Sequence, residues 1–459
     1  IPDHPWVDEK DGAAVRIAMT VAAKGKAEGR LLSVTDESSA PERVEFSEAV
    51  GAISSDLRTG ADLSSAVPLK ANEKLASRGV QLMGDGFIVT PEQAEQLGAS
   101  GSPSRIRSGQ GMVADVIFDY RNGRDLASRP RGVKVIDLYG LSEVQARDGY
   151  PAVYQHLTNA VRPQRDGQAS KSKTADAKKY AEEWWLFGKT RPEIRKALAG
   201  VTRYIATVET AKHRVFQFLP MSILPDNMLV CMALDDAYHL GVLSSRISVL
   251  WAMEAGGTLE DRPRYSKTQC FDPFPFPTDV PQPLKEKIRA EAEALDALRK
   301  RVLAEHDDLT LTKLYNVLEA LKEGSALTEG ERAIHDKGLV TLIRHHHDAI
   351  DALVAQAYGW DADLADEEIL TRLVALNKAR AAEEAKGVIR WLRPEYQAPD
   401  YTAPVNATLD LGETTAPVPN NIIPWPEKLP DQVSAVAAIL SGSCVPLAPQ
   451  DVARNFKGK

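Results

Sequence analysis

The chain has 459 residues, 43% of them hydrophobic and 26% charged; at ~150 residues per domain this indicates two or three globular domains and excludes wholesale disorder. Lys and Arg number 56 against 64 Asp and Glu, a net charge of −8, and that average speaks against a nucleic-acid partner. No run approaches the ~18 consecutive apolar residues of a membrane span. Cys231, Cys270 and Cys444 lie too far apart for a disulfide framework or zinc site, so a cytoplasmic protein without a membrane partner is expected.

In chain order, the start at Ile1 reads as part of a longer protein. Short apolar runs at 15–23 and 30–34, separated by Gly25 and Gly29, predict a hairpin. Residues 100–111 (SGSPSRIRSGQG) read as a linker. From about residue 120 to 277, strand-like runs at 133–138, 203–208, 215–219 and 228–234 alternate with predicted helices at 144–161, 178–187 and 240–255. Five prolines within 271–283 forbid a helix there and mark a boundary. Beyond it the spacing predicts helices over 284–305, 309–322, 329–358 and 366–391, followed by an extended Pro- and Thr-rich tail from 393 to 430.

The charge is unevenly distributed. Residues 121–214 hold 19 Lys and Arg against 10 Asp and Glu, a surplus of nine positive charges, so the remainder carries −17. Together with Tyr139, Tyr150, Tyr154, Trp184, Trp185 and Tyr204, the surplus suits a phosphate-binding surface, because Lys and Arg displace the counterions of a nucleic-acid backbone. The alternative is a solvated basic face that complements the acidic remainder.

Complete catalytic motifs are absent. Gly188-Lys189-Thr190 resembles the end of a phosphate loop, but Glu183 stands where its first glycine is needed. Gly84-Asp85-Gly86 is a two-glycine turn with no third glycine. Adjacent helical residues point about 100° apart, so His345, His346 and His347 cannot converge on one metal ion. Asp272-Pro273-Phe274 falls one proline short of the Asp/Asn-Pro-Pro-aromatic motif of amino-methylating enzymes.

A family resemblance runs through the middle of the chain. Residues 120–125 (YRNGRD), 135–140 (VIDLYG), 184–188 (WWLFG), 191–193 (RPE), 203–207 (RYIAT), 212–214 (KHR), 224–227 (LPDN), 241–247 (GVLSSRI) and 267–277 (KTQCFDPFPFP) keep the order found in target-recognition domains. The family they resemble is the MmeI-like adenine-specific DNA methyltransferases of restriction–modification and phage-defence systems. The opening IPDHPWV is similar to the last strands of that family's methylase domain, and Trp391-Leu392-Arg393-Pro394 to its C-terminal domain.

The resemblance implies an α+β fold: the end of a methylase sheet, a mixed α/β target-recognition domain and a helical C-terminal domain. It places methylase strands at 1–40, a connecting region at 41–118, target recognition at 119–278, the helical domain at 279–396 and a Pro-rich tail at 397–459. It further implies duplex-DNA recognition for adenine-N6 methylation. S-adenosylmethionine would be bound by an N-terminal half, in cis or in trans, and no cofactor within this chain; a nuclease half is a further expected partner.

The DNA-binding candidates are Arg121, Asn122 and Arg124 in a Gly-containing turn, Arg191 and Arg195 after the tryptophan pair, and Arg203 in a strand. Lys212, His213 and Arg214 follow between two strands, with Arg246 on an apolar helix and Lys267. For Arg124 the competing role is an ion pair with Asp125; for Arg246 it is a buried pair. Tryptophans 184 and 185 read as core. The contrasting function is a helical interaction subunit of a defence complex, suggested by the seven-residue spacing of Ile288, Leu295 and Val302.

Overall fold

The computed structural model describes residues 57, 59–98, 116–172, 174–259 and 262–400, with shorter pieces at 4–6, 15–22, 29–37, 44–51, 53, 423–426, 428–442 and 456–457. The linker expected at 100–111, Lys173, Cys444 and most of the tail fall outside the described residues. Two compact units divide the chain, 1–399 and 400–459. The second contains the helix Leu429–Gly442 and the parallel pair Ile423–Pro424 and Phe456–Lys457.

A four-stranded sheet organises the first unit. Its order is Gln217–Pro220, Arg203–Val208, Leu229–Met232 and Ala76–Arg78, all antiparallel. Successive side chains of a strand face opposite ways, and here both faces are buried. Tyr204, Ala206, Leu219, Leu229 and Cys231 enter one core with Phe118, Ile136, Leu157 and Trp184. Ile205, Phe218, Val230 and Met232 enter the other with Trp251, Ile288, Leu295, Ile343 and Leu373. The sheet therefore separates a mixed α/β core from a helical core. A strand apolar at every position, such as Leu229–Met232, reflects burial on both sides.

The mixed α/β core is closed by a second sheet. In it Ile117–Arg121 pairs in parallel with Ile223–Pro225 and antiparallel with Lys134–Ile136, which pairs with Ile88–Val89. The segment expected as a connection, 41–118, thus contributes a strand to each sheet. The helical core is built from Ala237–Ser244, Arg246–Ala255, Gln282–Glu305, Leu311–Glu323, Val340–Tyr358 and Asp366–Ala385. Among the described residues no helix is long and apolar enough to cross a membrane.

Several expected elements are broken or shifted. The helix expected over 144–161 is two, Glu143–Gly149 and Pro151–Ala160, because Pro151 lacks the amide that would continue the first. That over 240–255 divides at Ser245, whose side chain accepts from the Ser248 amide and caps a new helix. That over 329–358 divides at Gly338 and Leu339, the latter at φ 50°. The hairpin expected between 15–23 and 30–34 does not form. Val15–Ile17 pairs instead with His4–Trp6, and Gly29–Glu37 with Val44–Gly51. Within the tail expected to be extended, Pro394–Gln397 is a helical turn.

Candidate nucleic-acid interface

Strand Ile117–Arg121 ends in a tight turn. Asn122 accepts from the Asp125 amide at 3.0 Å, and the Asp125 carboxylate accepts from the Asn122 amide at 2.9 Å, a reciprocal cap on the short helix Gly123–Ala127. Gly123 packs tightly here: a Cβ would sit 3.0 Å from Val208 Cγ1, and that side chain would have to give slightly. Asp125 also takes Arg131, through Nε at 2.9 Å and Nη2 at 3.0 Å. The expected pairing of Asp125 with Arg124 is thereby replaced. The Arg124 side chain is exposed, and its guanidinium has no partner among the described residues.

This turn forms one wall of an open groove of about 760 Å³. Asn122, Arg124, Lys212, Arg262, Asp226 and Met228 are among its lining residues. Lys212 is exposed, and its Nζ donates to Asn316 Oδ1 and Glu319 Oε2, each at 2.9 Å. Asp226 is held in place: Tyr120 Oη donates to it at 2.6 Å and the Met228 amide at 2.9 Å. Burial and the neighbouring Asp226 carboxylate raise the Tyr120 pKa, which keeps the hydroxyl a donor. The groove offers exposed cations from three separated segments over an apolar floor that includes Val208.

Next to it lies a cluster of arginines. Arg78, at the end of its strand, and Arg264 both bind the Glu209 carboxylate, the latter through Nε at 2.8 Å. Arg191 donates from Nε to Gly79 O at 3.3 Å and is 3.9 Å from Glu193. Burial lowers the Arg78 pKa, and the positive charges of Arg264 and Arg191 lower it further. Arg78, Arg262 and Arg264 were not anticipated. All three lie outside the 121–214 window of charge surplus, and the Arg262-Pro263-Arg264 spacing was the available signal.

Other candidates serve the protein interior. Arg195 is 1% exposed, pairs with buried Asp137 at 2.6 Å, donates to Thr190 O at 2.7 Å and lies over the Tyr139 ring. It cannot reach a phosphate without unfolding its surroundings. Arg214 is likewise buried and donates to Val208 O, to Thr207 Oγ1 at 3.1 Å and to Pro263 O at 3.1 Å. Burial lowers its pKa to about 10. Both assignments to DNA are corrected by burial.

Arg203 stacks on Phe218 and forks onto Glu293 of helix Gln282–Glu305, joining sheet to helical core. Arg246 binds Asp366 and Leu364 O in an ion pair that is 40% and 61% exposed, so it is structural but not the buried pair considered for it. Lys267 pairs with Asp272 at 2.5 Å, and His213 meets Asn316 at 2.7 Å. Arg121 is half-buried, and burial lowers its pKa. Trp184 is 2% exposed and donates to Glu143 at 3.2 Å, while Trp185 donates to Leu141 O. Both are packing residues. His346 meets Glu291 and His347 meets Tyr315, so these two neighbouring rings diverge.

The two-glycine turn at 84–86 packs closely against a neighbouring helix. A Cβ on Gly86 would lie 2.8 Å from Ala160 Cβ, so the turn is sealed by helix Pro151–Ala160 rather than open to a ligand.

Comparison with known proteins bears out the resemblance. Residues 142–278 match the family model described as MmeI, target recognition domain. The chain is 26% identical over 180 residues to DNA methyltransferase A of Bacillus subtilis (strain 168), covering 38% of this chain and 18% of that protein. A solved structure of the Type IIL restriction-modification enzyme MmeI in complex with DNA aligns with TM-score 0.57 and 16% identity. That alignment covers 83% of this chain and 45% of the other, and it bears out a mixed α/β fold with a helical C-terminal region. The chain thus spans less than half the length of either relative.

Proposed function

We propose that this chain recognises duplex DNA in a sequence-specific manner, as part of an S-adenosylmethionine-dependent adenine-N6 DNA methyltransferase of a restriction–modification system. One observation carries the reading. Arg124, Lys212 and Arg262, from three separated segments, line a single groove, and Lys212 and Arg262 fall within residues 142–278, which match the target-recognition family model. Exposed cations over an open groove suit the phosphate contacts that set the position of a protein on DNA, while base contacts specify the sequence. The methyl donor and the transfer step are assigned to a methylase part in cis or in trans, a reading supported by the lack of a complete methylase motif in this sequence.

The test is fluorescence anisotropy with a labelled duplex pool and the full chain. The triple variant R124A/K212A/R262A is expected to bind about tenfold or more weakly at low salt, with each removed contact reducing the salt slope by about 1. Unchanged affinity in the triple variant overturns the groove as the contact surface.

A further inference from the structure

Glu209 is positioned with unusual thoroughness for a residue just past a strand end. Its amide donates to Met228 O at 2.8 Å, and its carbonyl accepts from the Tyr265 amide at 2.7 Å and from Arg214 Nη2 at 3.5 Å. Its side chain is only 5% exposed and receives two guanidinium groups, Arg78 and Arg264, on the same oxygen. Those two arginines come from the edge strand Ala76–Arg78 and from the segment after Gly257, and both remain about 40% exposed, at 38% and 43%.

One carboxylate neutralises one guanidinium, so the cluster keeps a positive charge beside Arg191. One arginine neutralises Glu209, and the second brings a like charge to the same oxygen. The surplus suits an acceptor-rich partner from outside.

The way each arginine is held narrows what that is. Arg264 is gripped through Nε, which constrains the plane of its guanidinium and leaves the Nη1 and Nη2 donors to other acceptors on a side chain 43% exposed. Arg78 is gripped through Nη2. Among the described residues neither guanidinium has another hydrogen-bond partner. A planar fork with fixed orientation matches two acceptors lying in one plane, as the O6 and N7 edge of guanine presents in the major groove. A phosphate, which accepts from any direction, needs no such bracing. Thr210, bridged to Arg264, lines the groove that holds Arg124, Lys212 and Arg262, so the fork stands at the edge of the cationic surface.

We infer that Arg264, oriented by Glu209 and assisted by Arg78, reads a guanine in the DNA word, with Glu209 as the positioning residue. The inference rests on the DNA-recognition reading above and adds to it the residue and the base.

The experiment is selection of a randomised duplex pool by the full chain, followed by competition with single-base changes, for wild type, R264A, R264K and E209Q. Thermal unfolding of each variant confirms that it is folded. Wild type is expected to enrich a guanine at one position. R264A, R264K and E209Q should reduce the preference at that position by about tenfold and leave the other positions unchanged. R264K matters most, because lysine keeps the charge and loses only the fork. Retained guanine preference in R264A and R264K, or a uniform loss of affinity for all sequences, overturns the inference while leaving DNA binding intact. Failure of the wild-type chain to bind any duplex overturns both readings.

Discussion

Arg124 and Arg195 lie in the same basic segment, and charge counting cannot separate them. Burial does. Arg195 and Asp137 are 1% and 2% exposed and 2.6 Å apart, so removing the arginine leaves a carboxylate in the interior with its charge uncompensated. R195A is expected to lower unfolding free energy by about 3–5 kcal/mol, whereas R124A should stay within about 0.5 kcal/mol of wild type. Urea unfolding checks both. Equal stability of R195A and wild type would contradict the buried pairing. The same contrast explains how far individual residues were legible. Arg124 and Lys212 are exposed, as their charge and turn composition led one to expect. Arg195 and Arg214 contribute equally to the surplus of nine but serve the interior. Arg78 and Arg264 meet only through Glu209, at positions far apart in sequence, and no local pattern links them.

At the scale of an element, helix Val340–Tyr358 carries two half-buried groups whose titrations oppose each other. Burial and nearby cations lower the His347 pKa to about 3, so its contribution to stability is fully present above its ordinary value of 6.5 and is lost as pH falls. Burial raises the Asp351 pKa to about 6 although it accepts from the Arg246 amide at 2.6 Å. Its ionised form therefore costs stability above pH 6, and that cost is relieved on acidification. Between pH 7 and 5 each effect amounts to about 1–2 kcal/mol in opposite directions. Relative to wild type, D351N should lose more stability over that interval and H347Q should lose less, as denaturant titrations at both pH values would show. Parallel behaviour of the two variants would contradict the assignment.

Elements were legible where periodicity was unbroken. The strand expected at 203–208 is Arg203–Val208, and the helix expected at 284–305 is Gln282–Glu305. What the pattern concealed were the interruptions. Ser245 and Gly338 break helices without breaking their apolar spacing, because a cap is set by one side chain or one backbone angle, whereas spacing is averaged over many residues. The pairing of Val15–Ile17 with His4–Trp6 was also missed, since apolar runs show strand character but not the choice of partner.

Across the whole first unit, the central sheet presents alternate residues to two cores and thereby couples recognition elements to the C-terminal helices. Arg203 fastens the sheet to Glu293, and Lys212 at the groove reaches Glu319 on helix Leu311–Glu323. The acidic helices lie against the basic segment, which is why the total of −8 conceals a surface able to meet a polyanion. That capacity is the central claim, and it is tested most directly by the affinity of the full chain for duplex DNA between 50 and 200 mM salt. The account predicts that log affinity falls linearly with log salt concentration, with a slope of about −3 or steeper, as expected when at least three phosphate contacts release counterions. Affinity independent of salt, or no binding at the lowest salt, would contradict it.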